Sequence, residues 1–196
     1  MLGGTFNPIH RGHLHLAREF CKRLELSRVI LIPTQSPPHK REEMFASAQD
    51  RLAMCRLAVG NEPLLEVSDI EISRGGTSYT VDTLRALSDK LRDVRLFFIM
   101  GADMFLTLES WKEFSEIARL ADLCAAARQG NDTSRLTEYA QKLESHYGAR
   151  CHIESISPID VSSTEIRGIL SAGGDAGGLL PEGVFDYIRQ NGLYTN

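Results

Sequence analysis

Gly3-Gly4-Thr5-Phe6-Asn7-Pro8-Ile9-His10-Arg11-Gly12-His13 is the stretch whose reading decides the fold. Two glycines make a tight turn, Asn7-Pro8 makes a second, and two histidines then bracket a glycine. An apolar run follows at once at Leu14, Leu16, Ala17, Phe20, Cys21 and Leu24, with the spacing of one helix face. The turn and both histidines therefore stand where the chain enters a helix. A helix start offers unpaired N–H groups and the positive end of a dipole, which suits phosphate. Glycines at Gly3 and Gly4 let the backbone approach a bulky anion, because no Cβ intervenes. The imidazoles of His10 and His13 add donors that titrate near neutral pH. The chemistry suggested is binding and reacting a nucleotide phosphate, with Gly3, Gly4, Thr5, Phe6 and His13 around it.

Working outward, the chain alternates strand and helix. A helix over about Arg11–Leu26 is followed by the continuous apolar run Arg28–Pro33, which reads as a strand buried on both faces. A helix over Ser47–Val59 carries Ser47-x-x-Asp50 as its N-terminal cap. Strands are expected at Leu64–Ile70, Glu71–Ser73, Val94–Met100, Asp122–Ala127 and Ala149–Ser155. Helices are expected at Tyr79–Leu91, Trp111–Arg119, Thr133–Tyr147, Ser163–Leu170 and Pro181–Gln190. This alternation predicts an α/β fold with a Rossmann-like, doubly wound parallel sheet, and ligands bind at the carboxyl ends of such strands. One domain over residues 1–196 is expected, with a small helical C-terminal part from about 163 to 196. Only Met1 and Leu2 precede the glycine turn, so the first strand is expected to be very short or cut.

Composition excludes several classes. The formal net charge of −4 disfavours a nucleic-acid partner, whereas a small anionic ligand needs only a local positive pocket. No apolar run approaches a membrane span and no signal peptide is visible. Cys21, Cys55, Cys124 and Cys151 form no Cys-x-x-Cys pair and fall within helices and strands, which predicts reduced thiols in a cytoplasmic protein and no zinc site. Neither a P-loop nor a G-x-G-x-x-G fingerprint occurs, and Gly173–Gly178 reads as a connector between helices.

A second motif lies about 150 residues on, at Asp160-Val-Ser-Ser-Thr-Glu-Ile-Arg167. Ser162-x-x-Glu165 is a capping box, which by itself is structural. Arg167 adds a cation that the dipole near a helix start disfavours, and a bound anion would offset that cost. Ser162, Thr164 and Arg167 thus make a candidate triphosphate site. His10 and His13 would hydrogen-bond the phosphoryl oxygens as charge shifts in the transition state.

A third group fits a second substrate. Pro33-Thr-Gln-Ser-Pro-Pro-His39-Lys40 follows a strand, and the loop either lies on the surface or presents His39 and Lys40 to a phosphate. Arg51 either assists them or is a solvated charge. Thr77-Ser-Tyr-Thr80 opens a helix whose N–H groups could hold a carboxylate or an amide. Gly101-Ala-Asp103 follows a strand, and Trp111 is either core or a platform for a flat ring.

The first two motifs resemble those of the nucleotidyltransferase superfamily with an H-x-G-H motif. Asn7 stands where aspartate is more common, and Val161 replaces an isoleucine. From Gly3 to Gly192-Leu-Tyr194 the chain is similar to bacterial nicotinate-nucleotide adenylyltransferases. The resemblance implies transfer of AMP from ATP to nicotinate mononucleotide, giving deamido-NAD and pyrophosphate with Mg²⁺. It also implies that Thr80 and Trp111 contact the nicotinate and Asp103 the nucleotide. Lys112 stands where some members carry an aromatic residue. Two alternatives stay open: the same chemistry on phosphopantetheine, and a nucleotide-binding sensor without catalysis.

Overall fold

The computed structural model describes residues 1–36, 46–127 and 131–195. Its strands are β1 (Leu2–Gly4), β2 (Val29–Pro33), β3 (Leu65–Val67), β4 (Leu96–Gly101), β5 (Ala121–Ala127) and β6 (Cys151–Ser155). They form one parallel sheet in the order β3-β2-β1-β4-β5-β6, as the doubly wound reading requires. The first strand has only three residues, yet it occupies the middle of this order, with Leu2 in register with Ile99. The reversal of strand order at β1 is the switch point beside which such folds bind ligands.

By contact density the chain divides into two compact units, and the cut passes between Gly3 and Gly4. One unit contains Gly4–Thr77 and Pro158–Asn196, so the C-terminal helices group with the N-terminal half. It includes the helices α1 (Arg11–Arg23), α2 (Ala48–Val59) and α3 (Ile70–Arg74), together with α8 (Ser163–Ser171) and α9 (Val184–Gln190). Leu14, Ala17, Phe20 and Cys21 of α1 are buried, the face its periodicity predicts. Ser47 caps α2 as expected, its side chain accepting from the Asp50 N–H.

Met1–Gly3 and Ser78–Ser157 make the other unit. It holds α4 (Thr80–Lys90), α5 (Ala102–Phe105), α6 (Phe114–Leu120) and α7 (Asn131–Tyr147). Its core is built on Phe98, Ile99, Phe105, Ile117 and Leu123. Asp122 interrupts the otherwise apolar β5, and its fully buried carboxylate accepts from Arg95, Arg150 and His152. Three basic partners offset the cost of desolvating that charge.

Three expectations are corrected. Glu71–Ser73 is helical, within α3, where a strand was expected. The N–H of Gly75 donates to the Glu71 carbonyl and Gly75 has a φ of 72°, so the glycine closes a helical turn that the alternating side chains concealed. Trp111 precedes α6 and is extended, because Glu113 takes a left-handed φ of 52° and the helix begins after it. The Ser110 hydroxyl, just before Trp111, donates to the Thr107 carbonyl. The last helix starts at Val184 and not at Pro181, after Gly183 in the left-handed region.

Candidate active site

The glycine turn, the start of α1 and the start of α8 meet in one open cleft of about 290 Å³. Thr5, Phe6, Asn7, His13, Ser163, Thr164 and Arg167 line it. Two motifs some 150 residues apart in sequence therefore share one concave surface, and all of it lies within the Gly4–Thr77 and Pro158–Asn196 unit.

The turn is shaped by close packing. Phe6 has a left-handed φ of 48°, and a Cβ on Gly4 would lie 3.0 Å from the Phe6 ring. At Gly12 a Cβ would come within 3.1 Å of both His10 Nδ1 and the Val161 side chain. Gly12 is thus one point at which the two motifs touch, and only a residue without a side chain fits there undistorted.

His10 is the N-cap of α1 and is only 7% exposed. Its ring stacks on that of His13, with centroids 3.7 Å apart, and the edge of Phe6 meets His13 from another side. Burial pulls the His10 pKa down to about 4, so the ring is neutral at physiological pH. The His10 N–H donates to His13 Nδ1 at 3.2 Å. In a neutral His13 that bond makes Nδ1 the acceptor and leaves the proton on Nε2. The two histidines are therefore not equivalent: His13 lines the cleft, and His10 stacks against it outside the lining. Among the described residues, His10 Nδ1 is buried without a hydrogen-bond partner.

At the start of α8 the expected capping box is present. Ser162 Oγ accepts from the Glu165 N–H at 3.1 Å, and Glu165 accepts from the Ser162 N–H. Ser163 Oγ donates to the Pro8 carbonyl at 2.9 Å. Arg167 Nη1 donates to the Asn7 carbonyl at 2.8 Å and Nη2 to Thr164 Oγ1 at 3.2 Å, while its Nε is buried without a partner among the described residues. The carbonyl of Asn7 supplies part of the negative pole that a cation beside a helix N-terminus lacks. Ser163 and Asn7 were given no ligand role on sequence grounds. The Ser-Ser-Thr run was the signal for Ser163; the position of Asn7 depends on contacts remote in sequence.

The residues expected at the second substrate divide. His39 and Lys40 lie outside the described residues. Arg51 is not a solvated charge: it is 2% exposed and donates to the carbonyls of Thr5 (2.8 Å), Gln35 (3.1 Å) and Ala46 (3.2 Å). Burial lowers its pKa, and its partners are three loop carbonyls. In the other unit, Thr80 is the first residue of α4 and Asp103 is exposed in the first turn of α5. Trp111 is half-buried, with its Nε1 donating to Thr107 Oγ1 and its ring set edge-on to Phe98. Lys112 places its ammonium 4.4 Å from the centre of the Tyr79 ring and 3.3 Å from Asp82, which joins the Trp111 segment to the start of α4.

Among the described residues there is no group of three or more His, Cys, Asp or Glu side chains able to hold a metal ion, and the cleft lining contains no carboxylate. No helix of the described residues is long and apolar enough to cross a membrane. All four cysteines are free thiols.

The cytidylyltransferase-like family model matches residues 1–169. A relative in Desulfatibacillum aliphaticivorans named "Probable nicotinate-nucleotide adenylyltransferase" is 41% identical over 98% of this chain and 97% of its own. One of the same name in Aeromonas salmonicida is 40% identical over 99% of this chain and 95% of its own. Among solved structures, the Plasmodium falciparum nicotinic acid mononucleotide adenylyltransferase complexed with NaAD superposes with a TM-score of 0.77 over 98% of this chain and 95% of its own. At 17% identity that likeness speaks for the fold alone. The chain belongs to the cytidylyltransferase-like family and, within it, to the nicotinate-nucleotide adenylyltransferases.

Proposed function

We propose that this chain transfers the adenylyl group of ATP to the phosphate of nicotinate mononucleotide, releasing pyrophosphate and forming deamido-NAD in the biosynthesis of NAD. The observation that carries the reading is the convergence of His13, Thr164 and Arg167 on one cleft, in a chain whose full-length relatives bear that enzyme's name.

The phosphate of the mononucleotide attacks the α-phosphorus of ATP in line, and the bond to the pyrophosphate oxygen breaks. A phosphate monoester is already largely ionised at neutral pH, so no general base is needed. The side chains bind, orient and stabilise charge, as in phosphoryl transfer generally. His13 donates from Nε2 to an oxygen on which charge accumulates, and the neutral His10 ring behind it fixes its position. Arg167 and the N–H groups at the start of α8 hold the triphosphate. Mg²⁺ would enter with ATP as part of the substrate and would offset the charge of its phosphates. Thr80 and Trp111 receive the pyridine ring, and Asp103, His39 and Lys40 the rest of the mononucleotide. The four free thiols fit a reducing compartment, and the reaction belongs in the cytoplasm.

The test is pyrophosphate release from Mg-ATP with nicotinate mononucleotide, nicotinamide mononucleotide and phosphopantetheine in parallel. Release with the first, at a kcat/KM well above the second, is the expected result. Release with phosphopantetheine alone would reassign the acceptor, and ATP binding without release from any would make the chain a sensor.

A further inference from the structure

The cleft's organisation extends to a residue far outside both motifs. Asn7 is 2% exposed, and its side-chain Oδ1 accepts two hydrogen bonds, from the Ala46 N–H at 3.0 Å and from the Tyr194 hydroxyl at 2.7 Å. Both lone pairs of that oxygen are thereby used. The backbone carbonyl of the same residue accepts from Arg167 Nη1. One asparagine thus joins the segment after α9, the loop before α2 and the cation of the cleft.

Tyr194 is held for this contact. It takes a left-handed φ of 62°, which a tyrosine adopts only when its surroundings impose it. The segment leading to it is turned back by the Leu193 N–H, which donates to the Ile188 carbonyl. The helix beneath is fixed in turn, since the Tyr187 hydroxyl donates to Asp50 on α2 at 2.9 Å. Burial pushes the Tyr194 pKa up, against the opposing influence of Arg51 and Arg167, so the hydroxyl stays a donor across the physiological range.

We propose that Tyr194 is a positioning residue for adenylyl transfer: through its hydroxyl it clamps Asn7, and so fixes the carbonyl that seats Arg167 in the triphosphate cleft. This rests on the reading of the cleft as the ATP site. A tyrosine serving only to anchor its own segment would act through ring packing, and its oxygen would not influence ligand affinity. A positioning tyrosine acts through the oxygen and through Arg167.

The experiment measures Mg-ATP binding by calorimetry without an acceptor, in the wild type, Tyr194→Phe, Arg167→Ala and the double variant, with melting temperatures for each. Tyr194→Phe keeps the ring and is expected to raise the ATP Kd about fivefold through a displaced Arg167, with a fall of a few degrees in Tm from the lost buried hydrogen bond. In the Arg167→Ala background the same substitution should change the Kd less than about twofold, the non-additivity of residues acting as one unit. Tyr194→Leu, which also removes the ring, should lower the Tm. An unchanged Kd in Tyr194→Phe overturns the inference, and so does an equal loss with and without Arg167. If Arg167→Ala itself leaves ATP binding intact, the cleft reading fails and takes the inference with it. Failure of nicotinate mononucleotide as acceptor would leave these binding results untouched, so the two failures are distinguishable.

Discussion

The starts of α1 and α8 face the same cleft and each pairs its N-cap residue with the residue three positions on, but with different side chains. At α8 the polar groups are matched close at hand: Ser162 and Glu165 exchange hydrogen bonds and Ser163 reaches the Pro8 carbonyl. At α1 no acidic side chain stands in the first turn, and the cap is a buried imidazole stacked on a second one. Folding stability is served by the first arrangement. The second leaves a ring nitrogen of His10 without a partner among the described residues and places His13 in the cleft lining. The difference is one of chemistry: α8 brings hydroxyls and the Arg167 guanidinium to the cleft, and α1 brings an imidazole that a second, buried imidazole supports.

Three measurements would break or sharpen this contrast. The largest effect is expected at His13. His13→Ala removes the cleft donor and should lower kcat about 10²–10³-fold, with a much smaller change in ATP affinity, as for the loss of one transition-state donor. Turnover equal to wild type would take His13 out of the mechanism.

The next effect is a pH dependence at His10. Its pKa is about 4 in the folded chain, lowered by burial from the ordinary histidine value of 6.5. Between those values the unfolded state binds the proton and the folded state does not, so stability rises with pH across this window. It is lost as pH falls below about 6.5 and levels off below about 4. The two pKa values bound the change at roughly 3 kcal/mol. Urea unfolding at pH 7, 5.5 and 4.5 should show this slope in the wild type and a reduced one in His10→Gln. Parallel profiles would mean that His10 titrates normally.

The smallest effect belongs to α8. Ser162→Ala removes one side-chain cap and should cost about 1 kcal/mol, a fall of about 2–4 °C in Tm, while kcat changes less than His13→Ala changes it. A collapse of activity at unchanged stability would assign Ser162 to the ligand and erase the contrast.

Much of this was legible in the chain. The periodicity of α1, the Ser47 cap of α2 and the capping box of α8 are short-range patterns and formed where they were read, and the run Arg28–Pro33 forms its strand over Val29–Pro33. Misreadings arose where local signals compete. Ile70–Arg74 alternates like a strand, but β3 ends at Val67 and Gly75 closes a helical turn. Trp111 has the composition of a helix start, but the left-handed Glu113 delays that helix by three residues. Arg51 illustrates a different limit. In sequence it is a cation near a helix start, and its burial among three carbonyls depends on loops that reach it from Thr5 and Gln35.

By itself the sequence determined most of the segments that become helix or strand, which residues can turn tightly, and which donors are available to an anion. Those properties come from interactions over a few residues, where propensity, capping and periodicity act. Only the tertiary structure decided how the donors are used. The Arg167–Asn7 and Tyr194–Asn7 hydrogen bonds span 160 and 187 residues, and the Val161 side chain closes on Gly12. The acidity of His10 follows from its burial, and the tautomer of His13 from one backbone N–H. Desolvation and hydrogen-bond geometry depend on what surrounds a group in space, and chain order does not encode those surroundings locally.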